Sequence, residues 1–313
     1  MQSIKIHFTD FWDDFNPRDN FFLNTLNLRF NVIIDEIDPE LVIYGNYGSK
    51  FLQFPKAIRI IYISENVRPS YLECDYSLSF EHTENSKKNL RLPLYVLYYS
   101  NENILLPKNP NSIIKDKNGF CSMVVSNGGG KVRNEFFQIL NKLKKVDSGG
   151  RFLNNIGGPV VNKLEFIKDY RFNIAFENGS FPGYTTEKIF EPMKVNSIPI
   201  YWGSNRINEE FNVNSFINVH SFDTLKSAAE EVIKIENDEI LLTKILLEPW
   251  FIKNSISEYF SNDRFNDFFD LLIKSKRNKK VLYFLPKQTT ALYSVFRKKT
   301  IAKKMNKPYW NIS

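Results

Sequence analysis

Residues 176–203 read FENGSFPGYTTEKIFEPMKVNSIPIYWG, and the fold turns on how this stretch is divided. FNIAFEN, which leads into it, and IPIYWG, which closes it, are short apolar runs of the kind buried in a parallel sheet. TTEKIFEPMKV between them carries helical spacing, so the unit is strand, helix, strand. Ligands of open α/β folds sit at the carboxyl ends of the strands, and that is where Glu177, Asn178, Tyr184, Glu187 and Lys188 fall. A Thr185 or Thr186 N-cap would leave amides free at the helix start with Lys188 one turn in, an arrangement suited to phosphate. Ordinary capping accounts for the threonines equally well, and Glu187 and Lys188 also fit a surface helix.

Outward from this unit the same alternation continues. FCSMVVS reads as a strand, NGGGKVR as a glycine loop and NEFFQILNKLKKV as a helix whose Phe136, Phe137, Leu140 and Leu143 repeat at helical spacing. Gly128, Gly129 and Gly130 permit close backbone approach to a ligand, with Lys131 and Arg133 at the following helix start. The loop is neither a Walker loop nor a dinucleotide fingerprint, and a surface loop with two solvated cations remains an equal description. FINVH and TLKSAAEEVIKI add a further strand and helix, while SIKIHF, FNVIID, LVIYG and IRIIYIS give the first third its own buried strands. The fold class is therefore α/β in two domains, residues 1–115 and 116–273, divided within the Asn- and Pro-containing stretch LLPKNPNSIIKDKNG, with a tail over residues 274–313.

Size and charge agree with this division. A chain of 313 residues with 42% apolar and 15% aromatic content can bury two cores. The N-terminus lacks the basic start and unbroken apolar run of an export signal, and no run of about 18 apolar residues occurs. Cys74 and Cys121 offer neither a disulfide framework nor metal-ligand spacing, so a cytoplasmic location is expected. The net charge of +7 is concentrated in the tail, which holds 12 Lys and Arg and no carboxylate from Lys274 onward. The body is slightly acidic, which argues against a nucleic-acid-binding role. Cationic clusters interleaved with VLYFLP and ALYSVF suit either a peripheral segment on the anionic inner face of the membrane or a helix packed on the body.

FEN, YTTEK and IPIYWG, in that order and spacing, resemble the donor-binding motif of the bacterial type of the α-1,3/4-fucosyltransferase family. YISENVRPSYLECDYSLSFE, NLRLPLY, SNGGGKVRNEF and GGRFLNN are similar to further family blocks, so the resemblance covers roughly residues 60–220. Ser64 stands where a glycine is common before the acidic residue, and Ala175 where a cysteine is frequent. Neither change removes a reactive group, but the one beside Glu65 leaves acceptor specificity open.

The resemblance implies a GT-B architecture, two Rossmann-like domains facing across a cleft, with GDP-fucose held by the second and a glycan acceptor largely by the first. It implies inverting transfer of L-fucose to a GlcNAc-containing, N-acetyllactosamine-like acceptor, at O3, in surface polysaccharide synthesis. Glu65 then matches the catalytic base, although a structural carboxylate beside Asn66 and Arg68 is the alternative. Arg133 and Lys188 match contacts to the donor diphosphate. Asn178, Tyr184, Glu187 and Glu177, with Gly129 and Gly130 of the glycine loop, match the nucleotide and sugar pocket. No cofactor is required on this reading: Asp13 and Asp14 read as a solvated turn, and a lysine with an arginine can neutralise the diphosphate without a metal. The rival readings are a GT-B transferase using another sugar nucleotide and a non-catalytic anion- or membrane-binding module on a degenerate transferase fold.

Overall fold

The computed structural model describes residues 1–82, 87–99 and 110–274, so the basic tail beyond Lys274 lies outside the described residues. The chain divides into two compact units, each built on a wholly parallel sheet, in agreement with the GT-B class expected. Among the described residues unit 1 holds 1–98 and 258–274, and unit 2 holds 99–257.

Unit 1 begins with β1 (Ser3–Thr9), α1 (Phe21–Leu26), β2 (Asn31–Ile34), β3 (Leu41–Tyr44) and β4 (Ile58–Tyr62). It continues with β5 (Tyr76–Ser79), β6 (Asn89–Arg91) and α2 (Leu94–Tyr99). The strand order is β2-β1-β3-β4-β5-β6. β5 and β6 escape an apolar-run reading because they are short and polar inside. The buried Ser77 and Ser79 hydroxyls both donate to the Asn89 carboxamide oxygen at 2.7 Å, which satisfies groups that would otherwise cost free energy in the core. Phe8, Phe11, Phe22 and Tyr62 form the aromatic centre of this unit, extended by Phe15 stacked on Phe11 at 3.8 Å.

In unit 2 come α3 (Pro110–Asp116), β7 (Gly119–Met123), α4 (Lys131–Leu143), β8 (Val146–Ser148), α5 (Lys163–Ile167) and β9 (Tyr170–Phe176). After these follow α6 (Glu187–Lys194), β10 (Ile198–Trp202), β11 (Ile217–Asn218), α7 (Leu225–Glu236) and α8 (Glu239–Leu247). The order β11-β10-β9-β7-β8 sets β7, β9 and β10 side by side. The core is apolar and tightly covered: Met123, Phe136, Leu140, Phe172, Phe176, Ile198 and Val232 are fully buried. At the amino ends of the central strands the buried Lys117 ammonium donates to Lys168 O (2.6 Å), Val195 O (2.9 Å) and Ser197 Oγ (3.0 Å). Burial pushes this lysine down to about 8.

The domain limits read from the sequence need two corrections: unit 2 begins at Tyr99 and not at residue 116, so α3 belongs to it, and the far limit moves as well. α9 (Asn262–Lys274), assigned there to the second domain, packs in unit 1 against α1. Phe265, Phe268, Phe269 and Leu272 share its apolar stripe, and Phe265 meets Phe21 and Phe22 with ring centroids 5.4 and 6.3 Å apart. Asn266 Nδ2 donates to Thr25 O at 3.1 Å, while Arg29 pairs with Asp263, Asp267 and Asp270 along the helix. A partner more than two hundred residues away leaves no mark on local periodicity, so the stripe announced a helix without saying what it covers.

Candidate donor site at the strand ends of unit 2

Two loops build the site. The first joins β7 to α4 and is arranged by its own polar groups: Gly129 N–H donates to Asn127 Oδ1 at 2.8 Å, and Asn134 Nδ2 to Gly128 O at 2.7 Å. Side chains already occupy the space beside two of its glycines. A Cβ on Gly128 would lie 2.7 Å from the Phe152 ring, and one on Gly130 would lie 2.8 Å from Cζ of Arg133. Gly130 is the N-cap of α4 and supplies no side-chain capping bond, which leaves the helix start open to an anion. Arg133 folds back over this glycine, with one nitrogen donating to Asn178 Oδ1 at 3.0 Å and another to Asn127 O. Its guanidinium is almost fully buried; burial lowers its pKa and the nearby Glu177 raises it, and Nε has no partner.

The second loop joins β9 to α6. Thr186, not Thr185, is the N-cap, its hydroxyl oxygen accepting from Lys188 N–H. Glu177 is completely buried, and its carboxylate accepts Thr186 N–H (2.7 Å) and the Thr186 hydroxyl (2.8 and 2.9 Å). Lys188 Nζ stands 3.3 Å from Glu177 Oε2, 3.1 Å from Thr186 Oγ1 and 3.3 Å from Glu187 Oε1. Burial raises the Glu177 carboxyl against the opposing pull of Lys188. At Glu187 burial again raises, but the Lys188 and Lys163 ammoniums outweigh it and hold the group at about 2. One Glu187 oxygen is buried with no hydrogen-bond partner in the protein, an unused acceptor. Tyr184 is buried, its carbonyl accepting from Tyr201 Oη at 3.4 Å, and Gly183 at φ +81° donates its amide to Ser204 Oγ at 2.8 Å.

Gly129, Gly130, Glu177, Asn178 and Tyr184 lie on these two loops and Arg133, Glu187 and Lys188 on the first turns of the helices that follow, beyond the ends of β7 and β9. One expected role changes. Glu177 does not present its carboxylate as a pocket surface, because both oxygens are taken by Thr186 and Lys188 inside the protein. Asn127 and Phe152 were missed, although an asparagine just ahead of three glycines is itself a turn signal. Phe152 comes from the loop after β8 and could not be assigned from spacing. A further glycine, Gly203, is locked from the other side: a Cβ there would lie 2.5 Å from both Glu177 Cγ and Tyr201 Oη.

Glu65 lies in unit 1, on the connection following β4. The Tyr47 hydroxyl donates to its Oε1 at 3.3 Å and lies 3.4 Å from Ser64 Oγ. Arg68 pairs with Glu81 at 3.0 Å and reaches Asn66 Oδ1 at 3.4 Å. Asp13 and Asp14 are exposed in a turn, and among the described residues no group of three or more His, Cys, Asp or Glu could hold a metal.

Residues 6–98 match the family model "Alpha-(1,3)-fucosyltransferase FucT N-terminal domain", and residues 114–247 match "Glycosyltransferase family 10 (fucosyltransferase) C-term". The alpha-(1,3)-fucosyltransferase FucT of Helicobacter pylori is 31% identical over 271 residues, 73% of this chain and 56% of that protein. The chain therefore spans about half the length of this curated relative. A crystal structure of an α1,3-fucosyltransferase with GDP-fucose superposes with a TM-score of 0.75 at 26% identity, covering 90% of this chain and 93% of the other. Another crystal structure of an α1,3-fucosyltransferase gives 0.79 at 26% identity, covering 91% of this chain and 93% of the other. Two family models meeting either side of the connection between the units, together with a parallel-sheet plan that superposes on these structures, show that the chain belongs to the α-1,3/4-fucosyltransferase family, glycosyltransferase family 10.

Proposed function

We propose that this chain transfers L-fucose from GDP-β-L-fucose, with inversion, to O3 of GlcNAc in an N-acetyllactosamine-like glycan. The observation that carries the reading is the cation pair at the strand ends of unit 2, Arg133 over the open start of α4 and Lys188 in the first turn of α6. As the glycosidic bond breaks, charge builds on the leaving diphosphate, and two ordered cations in a partly dry site lower the energy of that state. The unused Glu187 acceptor suits a sugar hydroxyl of the nucleotide. Inversion requires a base for the incoming hydroxyl, the role given to Glu65, which Tyr47 orients through its hydrogen bond. A surface polysaccharide as acceptor rests on the family resemblance, and a peripheral position on the inner face of the cytoplasmic membrane on the basic tail.

Incubation with GDP-fucose and N-acetyllactosamine should release GDP and yield an α-1,3 linkage by NMR; no release over a broad panel of acceptors would defeat the reading. Comparing thermal shifts with GDP-fucose, GDP-mannose and UDP-sugars separates donors, since a ligand that binds only the folded state raises its stability.

A further inference from the structure

We infer that Glu177 is a positioning residue that acts on the donor through Lys188, as the buried counter-ion of the diphosphate-binding cations, rather than by touching the donor. The inference rests on the donor-site reading above and concerns a group that the reading itself does not use.

A carboxylate with no solvent exposure in a protein interior is costly unless its charge and lone pairs are met. Here they are met by one short chain of groups. The Thr186 backbone amide and hydroxyl donate to Glu177, and the same hydroxyl oxygen lies 3.1 Å from Lys188 Nζ, which also faces Glu177 Oε2 at 3.3 Å. Glu177 is held in turn: its amide donates to Trp202 O at 2.8 Å, and its Cγ fills the space that a Cβ on Gly203 would take. On the other side Asn178, the next residue in the chain, accepts from Arg133, and the Glu177 charge favours the protonated guanidinium. One buried acid therefore stands between two cations that sequence places fifty-five residues apart.

The consequence for catalysis follows from charge. A fixed anion behind Lys188 orders a side chain that would otherwise lose rotamer freedom on binding, but it also repels the donor diphosphate. In the ground state these effects oppose one another. When the bond breaks, an ammonium already in place meets the growing charge without reorganising, so the benefit belongs to turnover more than to donor affinity.

The test uses the full chain as Glu177→Gln, Lys188→Ala and the double variant. Gln keeps the size and one acceptor oxygen but removes the charge. Transfer from GDP-fucose to N-acetyllactosamine should show kcat lowered about tenfold in E177Q with the donor KM within about threefold of wild type. In the Lys188→Ala background E177Q should change kcat by less than about twofold, the non-additivity expected of residues acting as a unit. Without any ligand, Lys188→Ala should lower the thermal midpoint and the added E177Q should raise it again, because the stranded buried charge is removed. An equal kcat loss in both backgrounds, or a double variant no more stable than Lys188→Ala, would overturn the inference. If Lys188→Ala keeps wild-type turnover and GDP affinity, the donor-site reading fails instead. The thermal arm still reads the Glu177–Lys188 coupling in that case.

Discussion

Gly130→Ala should remove Arg133 from its place without unfolding anything. The new Cβ would stand 2.8 Å from Cζ and 2.9 Å from Nη2 of Arg133, closer than nonbonded carbon tolerates, and the guanidinium is the part able to move. Gly130 sits at φ −78° and ψ 80°, which needs no left-handed backbone, and exchanging glycine for another residue without a capping side chain should cost the helix about 1 kcal/mol at most. The displaced guanidinium gives up its bonds to Asn178 Oδ1 and Asn127 O. Losing charge-assisted hydrogen bonds of about 1.5–3 kcal/mol should weaken binding of a diphosphate by roughly ten- to a hundredfold. Calorimetric titration with GDP, set beside Arg133→Ala and a thermal melt of each variant, reads this directly. If Gly130→Ala binds GDP within twofold of wild type while Arg133→Ala does not, the packing argument is wrong. If neither variant loses affinity, Arg133 is not a diphosphate contact.

Lys117→Met should change the pH dependence of stability. The folded pKa of Lys117 is lowered to about 8, below its unfolded value, so between there and about 10.5 the unfolded chain holds more protons. Its contribution to stability therefore rises with pH across that window, by about 3 kcal/mol, and denaturant titrations should show wild type gaining on the variant from pH 7.5 to 10. Phe265→Ala should cost about 3–5 kcal/mol by opening the α1–α9 packing, and hydrogen exchange should speed up in residues 21–26. Tyr47→Phe removes the hydroxyl that donates to Glu65, worth about 0.5–1.5 kcal/mol, so transfer should slow by roughly two- to tenfold while GDP affinity stays unchanged.

The α/β alternation, the helical stripe of α4, a threonine cap at residue 185 or 186 before α6 and the motif that identifies the family were legible in the sequence, because each depends on neighbours within a turn or a strand. The two helix starts that carry Arg133 and Lys188 were also legible, since a parallel sheet sends successive strand ends to the same edge. Tertiary structure decided what those groups face. It sent α9 back to unit 1, where Phe265 meets α1, and it paired the polar β5 and β6 through Ser77, Ser79 and Asn89. It also turned Glu177 inward onto Thr186 and Lys188, a choice that spacing cannot express. An acid after a strand reads the same whether its carboxylate meets solvent or a buried ammonium, and only the packing of Gly203 and Tyr201 around it settles which.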